Sequence, residues 1–545
     1  MSKIAHYLQE HLVGEVMTST DARRYFATDM SIFNLPPALV VYPRNENDVR
    51  KTARFTWQLA ERGRVIPITA RGSGTDTGGG ALGGGIMMAF PAHMNRILEL
   101  DTKSGMVNVE PGLNYGKLQQ TLHTHHMFLP PYPASLEYST IGGAVANNAS
   151  GEKSVKYGDT RNFVNALRVV LANGEVLLTG RLSKRELGKK LGLATFEGEV
   201  YRQIDTLLDE NNNVLQQMRR TTTKNTAGYD VLDIKRKDGS FDLTPLFVGS
   251  QGTLGIITEV SLVAEPYNPE TTLFLALFDS MEQLQNAVLD LRNLSELPSA
   301  VEMVDANLLD QVQALNPNHL SQVIQPPFAT AMLFVEFDAA KDSQRKKLVK
   351  KAGKIFEKHA SSWQAETESE AQQKLWKIRQ TTALVSGHNN GTNRSLPIID
   401  DATVPVERLR EYIDGIYALF KAAGLKVALW GHAGDGNLHV QPQLDIGQVG
   451  DRQKAFKLMD EMYKLVLNLG GTTSGEYNDG RLRTPYLEQN YGTEVYQVLQ
   501  KLKLICDPYG TLNPGVKFGT TKDDLKAIFR DDYTLEHLYD HLPMS

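Results

Sequence analysis

The sequence predicts an α+β protein of two or three domains, and three observations carry that prediction. At 545 residues the chain is too long for one ordinary hydrophobic core. The first half strings together short apolar runs bounded by turn-forming residues, which read as strands. The second half alternates apolar runs with long amphipathic stretches, which read as strands and helices of an α/β sandwich.

The elements follow in order. "MSKIAHYLQEHLVGEV" has helical spacing, and residues 1–35 read as an N-terminal helical segment. It lacks the charged start, apolar core and cleavage site of a secretory signal. "ALVVYP", "ENDVRKTARFTWQLAERG" and "VIPITA" then read as strand, helix and strand, the helix stopped by glycine. "MVNVEPG", "ALRVVLANGEVLLT" and "GTLGIITEVSLVAEP" read as further strands. The second contains a hairpin turning at Asn173-Gly174. Pro and Asn break the pattern in "AEPYNPETT", which ends a first large domain, 36–268. From there "TLFLALF" and "ATAMLFVEFD" alternate with "MEQLQNAVLDLRNL" and "RKKLVKKAGKIFEKHA", a second domain at 269–505 built on an antiparallel or mixed sheet. Residues 506–545 are expected to form a last segment that returns to the first domain.

Composition excludes several classes. Net charge is −5, and no Lys/Arg-rich run with interleaved aromatics points to nucleic acid. A single cysteine, Cys506, excludes a disulfide framework and a cysteine-ligated iron–sulfur cluster within these residues. It fits a reducing compartment, so a cytoplasmic location is expected. No apolar run reaches the length of a membrane span. Peripheral attachment to the inner membrane face stays open, as does a homodimer.

The glycine cluster "PITARGSGTDTGGGALGGG" follows a strand. Glycines let successive N–H groups point at one anion, such as a pyrophosphate; the competing reading is a flexible linker. A P-loop is excluded because no lysine stands between 64 and 102. A dinucleotide fingerprint fails because Thr77 occupies the place of its third glycine and no helix pattern begins there.

Downstream stand "PPYPASLEYSTIGGAVANNASGEKSVKYGDTRNFV" and "LFVGSQGTLGIITEV". In this order the motifs resemble flavoproteins of the vanillyl-alcohol-oxidase (PCMH) type, specifically the FAD-linked 2-hydroxyacid dehydrogenases. That resemblance implies a two-subdomain FAD-binding domain with an α/β cap. It implies FAD pyrophosphate contacts at Arg71, Gly72, Ser73, Gly74, Thr75, Gly78 and Gly79. It further assigns Thr140, Gly142, Gly143 and Asn147 to the flavin and adenosine side, Ile257 to the adenine, and Asn513 to the ring. Gln251 departs from the family's glutamate but keeps a hydrogen-bonding side chain. No histidine or cysteine stands in the first loop, so FAD is expected to be non-covalent.

A second constellation is "WGHAGDGNLHV". His432 and His439 flank Gly434-Asp435-Gly436, a strong hairpin signal. On two arms of a hairpin the imidazoles can face one cation; the competing reading is a structural histidine pair. Glu476, fixed between glycine turns in "GGTTSGEYNDG", is the third-ligand candidate, since two histidines and a carboxylate form a catalytic set. The resemblance supplies the same three ligands for a divalent metal, with Zn, Mn and Fe as candidates. Where the family carries a histidine base, this chain has Tyr477. Either the cation tunes that phenol, or Tyr477 only orients the substrate hydroxyl.

The resemblance also assigns Arg379, in "KLWKIRQTTALV", to the substrate carboxylate, against the alternative of a helix-surface charge. Lys224 and Asn225, in "TTKNTAGYDV", are expected at the flavin edge or the substrate. Gln441, two positions past His439, projects to the same side of its strand and is expected to touch the substrate as well. The expected reaction is oxidation of a D-2-hydroxyacid, of the D-lactate or D-2-hydroxyglutarate kind, by hydride transfer to flavin N5 while the metal orients the substrate. Electrons would leave to an external acceptor: an iron–sulfur subunit, a quinone or a soluble carrier. Two alternatives stand beside this reading, an FAD oxidase of another alcohol and a non-catalytic or electron-relay flavoprotein subunit. A zinc hydrolase is disfavoured because it leaves the flavin motifs without a purpose.

Overall fold

In the computed structural model, residues 2–321, 323–381, 394–530 and 533 are described. The part of the expected C-terminal segment beyond Arg530, Tyr533 apart, lies outside them.

The first sheet has the order β1-β2-β4-β3, formed by β1 (Glu15–Met17), β2 (Leu39–Tyr42), β3 (Ile68–Arg71) and β4 (Ile86–Ala89). Strands β2, β4 and β3 are parallel. Parallel strands need a crossover, and the helix Glu46–Ala60 carries the chain from β2 past the place of β4 to β3. Asn45 caps that helix by accepting from the Asp48 N–H. The glycine cluster fills the connection from β3 to β4. The N-terminal helix Ser2–His11 packs Ile4, Ala5 and Leu8 into the same core as Leu39, Val41 and Ile86.

The next strands are β5 (Ile97–Asp101), β6 (Met106–Val109), β7 (Met127–Phe128), β8 (Val164–Val170), β9 (Val176–Leu178) and β10 (Ile256–Val263). All but β7 join an antiparallel sheet of order β5-β6-β10-β8-β9. The β8–β9 hairpin turns at Asn173-Gly174, with Gly174 at φ +83°. β7 pairs instead with β11 (Glu265–Pro266).

A seven-stranded antiparallel sheet follows, formed by β12 (Thr272–Phe278), β13 (Ala300–Asp305), β14 (Ala331–Phe337), β15 (Ser362–Glu366), β16 (Arg394–Ser395), β17 (Val427–His432) and β18 (Asn437–Leu444). Its order is β15-β12-β14-β13-β17-β18-β16. β12 reads as a continuous apolar run because both of its faces are covered. Phe274, Ala276 and Phe278 enter a core with the helices Met281–Arg292 and Asp342–His359. Leu273 and Leu275 enter another with the helices Ala306–Leu315 and Ser369–Gln380.

The packing divides the chain differently from the sequence reading near its end. The expected second domain includes residues 487–505. Leu487, Tyr491, Val495, Leu499, Leu502 and Cys506 instead share a core with Val200, Tyr201 and Ile204 of the first. Periodicity reveals that the helix Thr493–Cys506 has an apolar face, but not which domain receives it.

Candidate active site

The first feature is an open cleft lined by Gly72, Ser73, Gly74, Thr75, Thr140, Gly142, Gly143, Asn147 and Ile257. Close backbone approach fixes two of these glycines. A Cβ on Gly72 would stand 2.3 Å from Thr140 Oγ1, and one on Gly142 would stand 2.6 Å from Pro111 Cβ. Thr140 caps the helix Ile141–Asn147 through the Gly143 N–H, which sets the cleft wall.

Four of the expected contacts have protein neighbours of their own. Arg71 contributes to the lining, but its guanidinium donates to Thr28 O and Ala81 O beneath the loop. Gly78 and Gly79 do not line the cleft. A Cβ on Gly78 would face Asp76 and Gly480, and one on Gly79 would face Phe33. Asn513 donates to Gly80 O and Gln251 O and accepts from Thr69, bracing the loop from below. Gln251 donates to Asn147 Oδ1 at 2.9 Å and accepts from the Gly480 N–H at 2.9 Å. An uncharged side chain meets both of those demands.

The second feature is the histidine pair. β17 ends on His432, and a four-residue turn leads into β18, which carries His439. Gly436 makes this turn possible: its φ is +67°, and a Cβ would lie 2.2 Å from Val404 O. The two imidazole centroids are 5.4 Å apart. His432 Nε2 and His439 Nε2 lie 3.2 and 3.3 Å from the same oxygen, Glu476 Oε1.

Each ring is also held from behind. Glu302 Oε1 is 2.6 Å from His432 Nδ1, and Asp400 Oδ1 is 3.0 Å from His439 Nδ1. Asp401 accepts from the N–H groups of Glu476 and Tyr477 and so fixes the loop that carries the third donor. All three donors are buried. Carboxylates behind imidazoles fix the tautomer and aim the opposite nitrogen at a metal.

Electrostatics favours positive charge here. Burial works against the charged imidazoles, but Glu302 and Glu476 raise the pKa of His432, while Asp400 and Glu476 raise that of His439 to about 10. Burial likewise opposes ionisation of Glu476, yet His432 and Lys224 hold its carboxyl well below the usual range.

The remaining expected residues divide. Lys224 donates to Glu476 Oε2 at 2.8 Å and to Asn437 Oδ1 at 3.2 Å. Asn225 bonds to Tyr491 and Thr472 and braces the packing behind the site. Gln441 reaches Asp400 Oδ2 at 3.4 Å. Tyr477 stacks on His439, ring centroids 5.2 Å apart, and burial pushes its phenol well above the ordinary value. Arg379 is no surface charge: its Nε and Nη2 lie 2.9 and 2.8 Å from Glu302 Oε2. Arg379 and His432 are therefore held by one carboxylate.

Sequence reasoning missed Glu302, Asp400, Asp401 and Ser150. Carboxylates inside the apolar runs "AVEMVD" and "LPIIDDATVP" were the available signal, because buried acids need partners. Ser150, whose Oγ donates to Glu476 Oε2 at 2.9 Å, carries no such mark.

The two features adjoin. The loop from Glu476 reaches the cleft wall within four residues, where Asn478 donates to Asn147 O and Gly480 to Gln251. Among the described residues no helix is long and apolar enough to cross a membrane.

Comparison with known proteins agrees with this layout. Residues 37–180 match the FAD binding domain model, and residues 268–516 match the C-terminal domain model of FAD linked oxidases. The chain is 31% identical over 497 residues to glycolate oxidase subunit GlcD of Bacillus subtilis, covering 90% of this chain and 91% of that one. It is 31% identical over 523 residues to D-2-hydroxyglutarate dehydrogenase of Escherichia coli K12, covering 93% of this chain and 50% of that one. The chain thus spans about half the length of the D-2-hydroxyglutarate dehydrogenases it matches. Among solved structures, 4-ethylphenol oxidase from Gulosibacter chungangensis superposes with a TM-score of 0.68 at 16% identity, over 96% of this chain and 98% of that one; it shares the vanillyl-alcohol-oxidase fold. With both modules in order and GlcD matched across nearly its whole length, the chain belongs to the FAD-linked oxidase family.

Proposed function

We propose that this chain oxidises the hydroxyl of a D-2-hydroxyacid, of the lactate or 2-hydroxyglutarate class, to a 2-oxoacid, using non-covalent FAD and one divalent cation. The observation that carries the reading is the convergence of His432, His439 and Glu476, each imidazole backed by a carboxylate, on a loop that ends in the FAD cleft wall. The cleft suits the cofactor in kind, because glycines and small side chains line it and leave backbone N–H groups open to a pyrophosphate. The donors fit Zn, Mn or Fe, as nitrogen and oxygen ligands of mixed hardness. When bound, FAD supplies the hydride acceptor and the cation a Lewis acid for the hydroxyl and carboxylate of the substrate.

The residues of this chain then supply geometry and charge. Arg379, tethered through Glu302 to a metal ligand, is assigned the substrate carboxylate, a partner that guanidinium suits. Glu302 and Asp400 keep the imidazoles aimed at the cation, and Tyr477 presents its hydroxyl from a ring fixed against His439. The single cysteine leaves no ligands for a cysteine-bound iron–sulfur cluster in these residues, so electrons pass to an acceptor elsewhere.

The test is anaerobic. FAD-loaded protein is mixed with D- and L-lactate, D- and L-2-hydroxyglutarate and glycolate while flavin absorbance is followed. Bleaching by a D-acid, abolished by a chelator and restored by metal, is expected. Failure of every D-acid to bleach the flavin refutes the activity, and bleaching indifferent to chelator refutes the metal's part.

A further inference from the structure

The two oxygens of Glu476 are used differently. Oε1 faces both imidazoles, whereas Oε2 accepts from Lys224 Nζ at 2.8 Å and Ser150 Oγ at 2.9 Å. The second pair of donors comes from the flavin-binding half of the chain. Ser150 follows the helix Ile141–Asn147 of the cleft wall, and Lys224 is steadied by Asn437 at 3.2 Å. Both are buried.

We propose that Lys224 and Ser150 act as a lock on Glu476, restricting it to a single oxygen donor and so keeping cation positions open for a chelating substrate. A free carboxylate can offer a cation both oxygens. Here a second metal bond through Oε2 would require displacing an ammonium group and a hydroxyl, and would bring like charges together. With two imidazoles and one oxygen bound, a five- or six-coordinate cation keeps at least two positions, which the hydroxyl and carboxylate of a 2-hydroxyacid need. Lys224 is on this account a positioning residue that acts through Glu476. The inference rests on the cation site proposed above.

The test uses Co²⁺ as a spectroscopic probe and oxalate as an inert two-oxygen chelator, in metal-stripped, FAD-loaded protein. The wild type should bind one Co²⁺, and oxalate should perturb its visible absorption. Lys224→Met and Lys224→Met/Ser150→Ala should retain Co²⁺ but show the weaker absorption of a higher coordination number. Their oxalate affinity should fall about tenfold, the equivalent of one charge-assisted contact. Ser150→Ala alone should move the same way by less, and Lys224→Arg should restore the wild-type spectrum. Flavin content and circular dichroism report that each variant is folded. Unchanged spectra and oxalate affinity in the variants overturn the lock. Loss of Co²⁺ from folded variants overturns it too, in favour of plain support of a ligand. A wild type that binds no Co²⁺ removes the cation site itself and the lock with it, an outcome distinct from the other two.

Discussion

Glu302→Gln isolates the support behind His432. The carboxylate is buried, its side chain 1% exposed, and holds His432 Nδ1 through one oxygen and two Arg379 nitrogens through the other. Burial alone would raise its pKa, but His432 and Arg379 hold it down at about 2. Glutamine keeps the shape and can satisfy only one side. With its amide nitrogen toward Arg379, donors confront each other. With that nitrogen toward His432, the imidazole must accept at Nδ1, so Nε2 carries the proton and loses the lone pair a cation needs. Removing one partner of a buried pair costs about 3–5 kcal/mol, and loss of such support weakens metal binding roughly 10–100-fold. The assay is titration of metal-stripped protein with Zn²⁺ and Mn²⁺, alongside thermal unfolding. A variant that binds both ions within threefold of wild type, and melts with it, would show that Glu302 is not what aims the imidazole.

Three further outcomes are expected. Gly72→Val and Gly142→Ala should purify without FAD, since each added Cβ meets an atom closer than 3 Å; yellow protein at full stoichiometry would count against that account of the cleft. Tyr477→Phe preserves the ring against His439, so metal content should match wild type while substrate-driven flavin reduction slows about tenfold, as for a lost hydrogen bond in the transition state; loss of metal would assign the hydroxyl to structure. Asp305 caps the helix Ala306–Leu315 and accepts from Tyr417, and burial lifts its carboxyl from an ordinary 3.8 to about 7. A raised folded-state value means stability present below about pH 4 and lost as pH rises through 7. The loss is at most about 4 kcal/mol. Asp305→Asn should therefore gain melting temperature over wild type between pH 5 and pH 8, and a gap that does not widen would contradict the burial argument.

Much of this was legible in the sequence because it depends on neighbours along the chain. Turn glycines, apolar alternation and the spacing of His432 and His439 are local, and the hairpin they describe is the one observed. Family motifs named residues on both sides of the glycine loop: Gly72 lines the cleft, whereas a Cβ on Gly78 or Gly79 would face Gly480 or Phe33. What aims the ligands was not legible, because Glu302 and Asp400 stand 130 and 39 residues from the imidazoles they hold. An acid in an apolar run announces that a partner exists without naming it. The role of Lys224 was obscured in the same way, since Glu476, 252 positions away, determines what its ammonium group does.

Asn513 braces the glycine loop from 444 positions beyond Thr69, and Leu512 forms a bridge with Ile68. This has a consequence for synthesis. While the ribosome extends the nascent polypeptide, the floor of the nucleotide cleft does not yet exist, and the first half emerges with a gap where Leu512 and Asn513 will lodge. Maturation of that half must wait until residues 512 and 513 have been translated. A fragment cut at the apparent boundary near 268 would be born without its keystone.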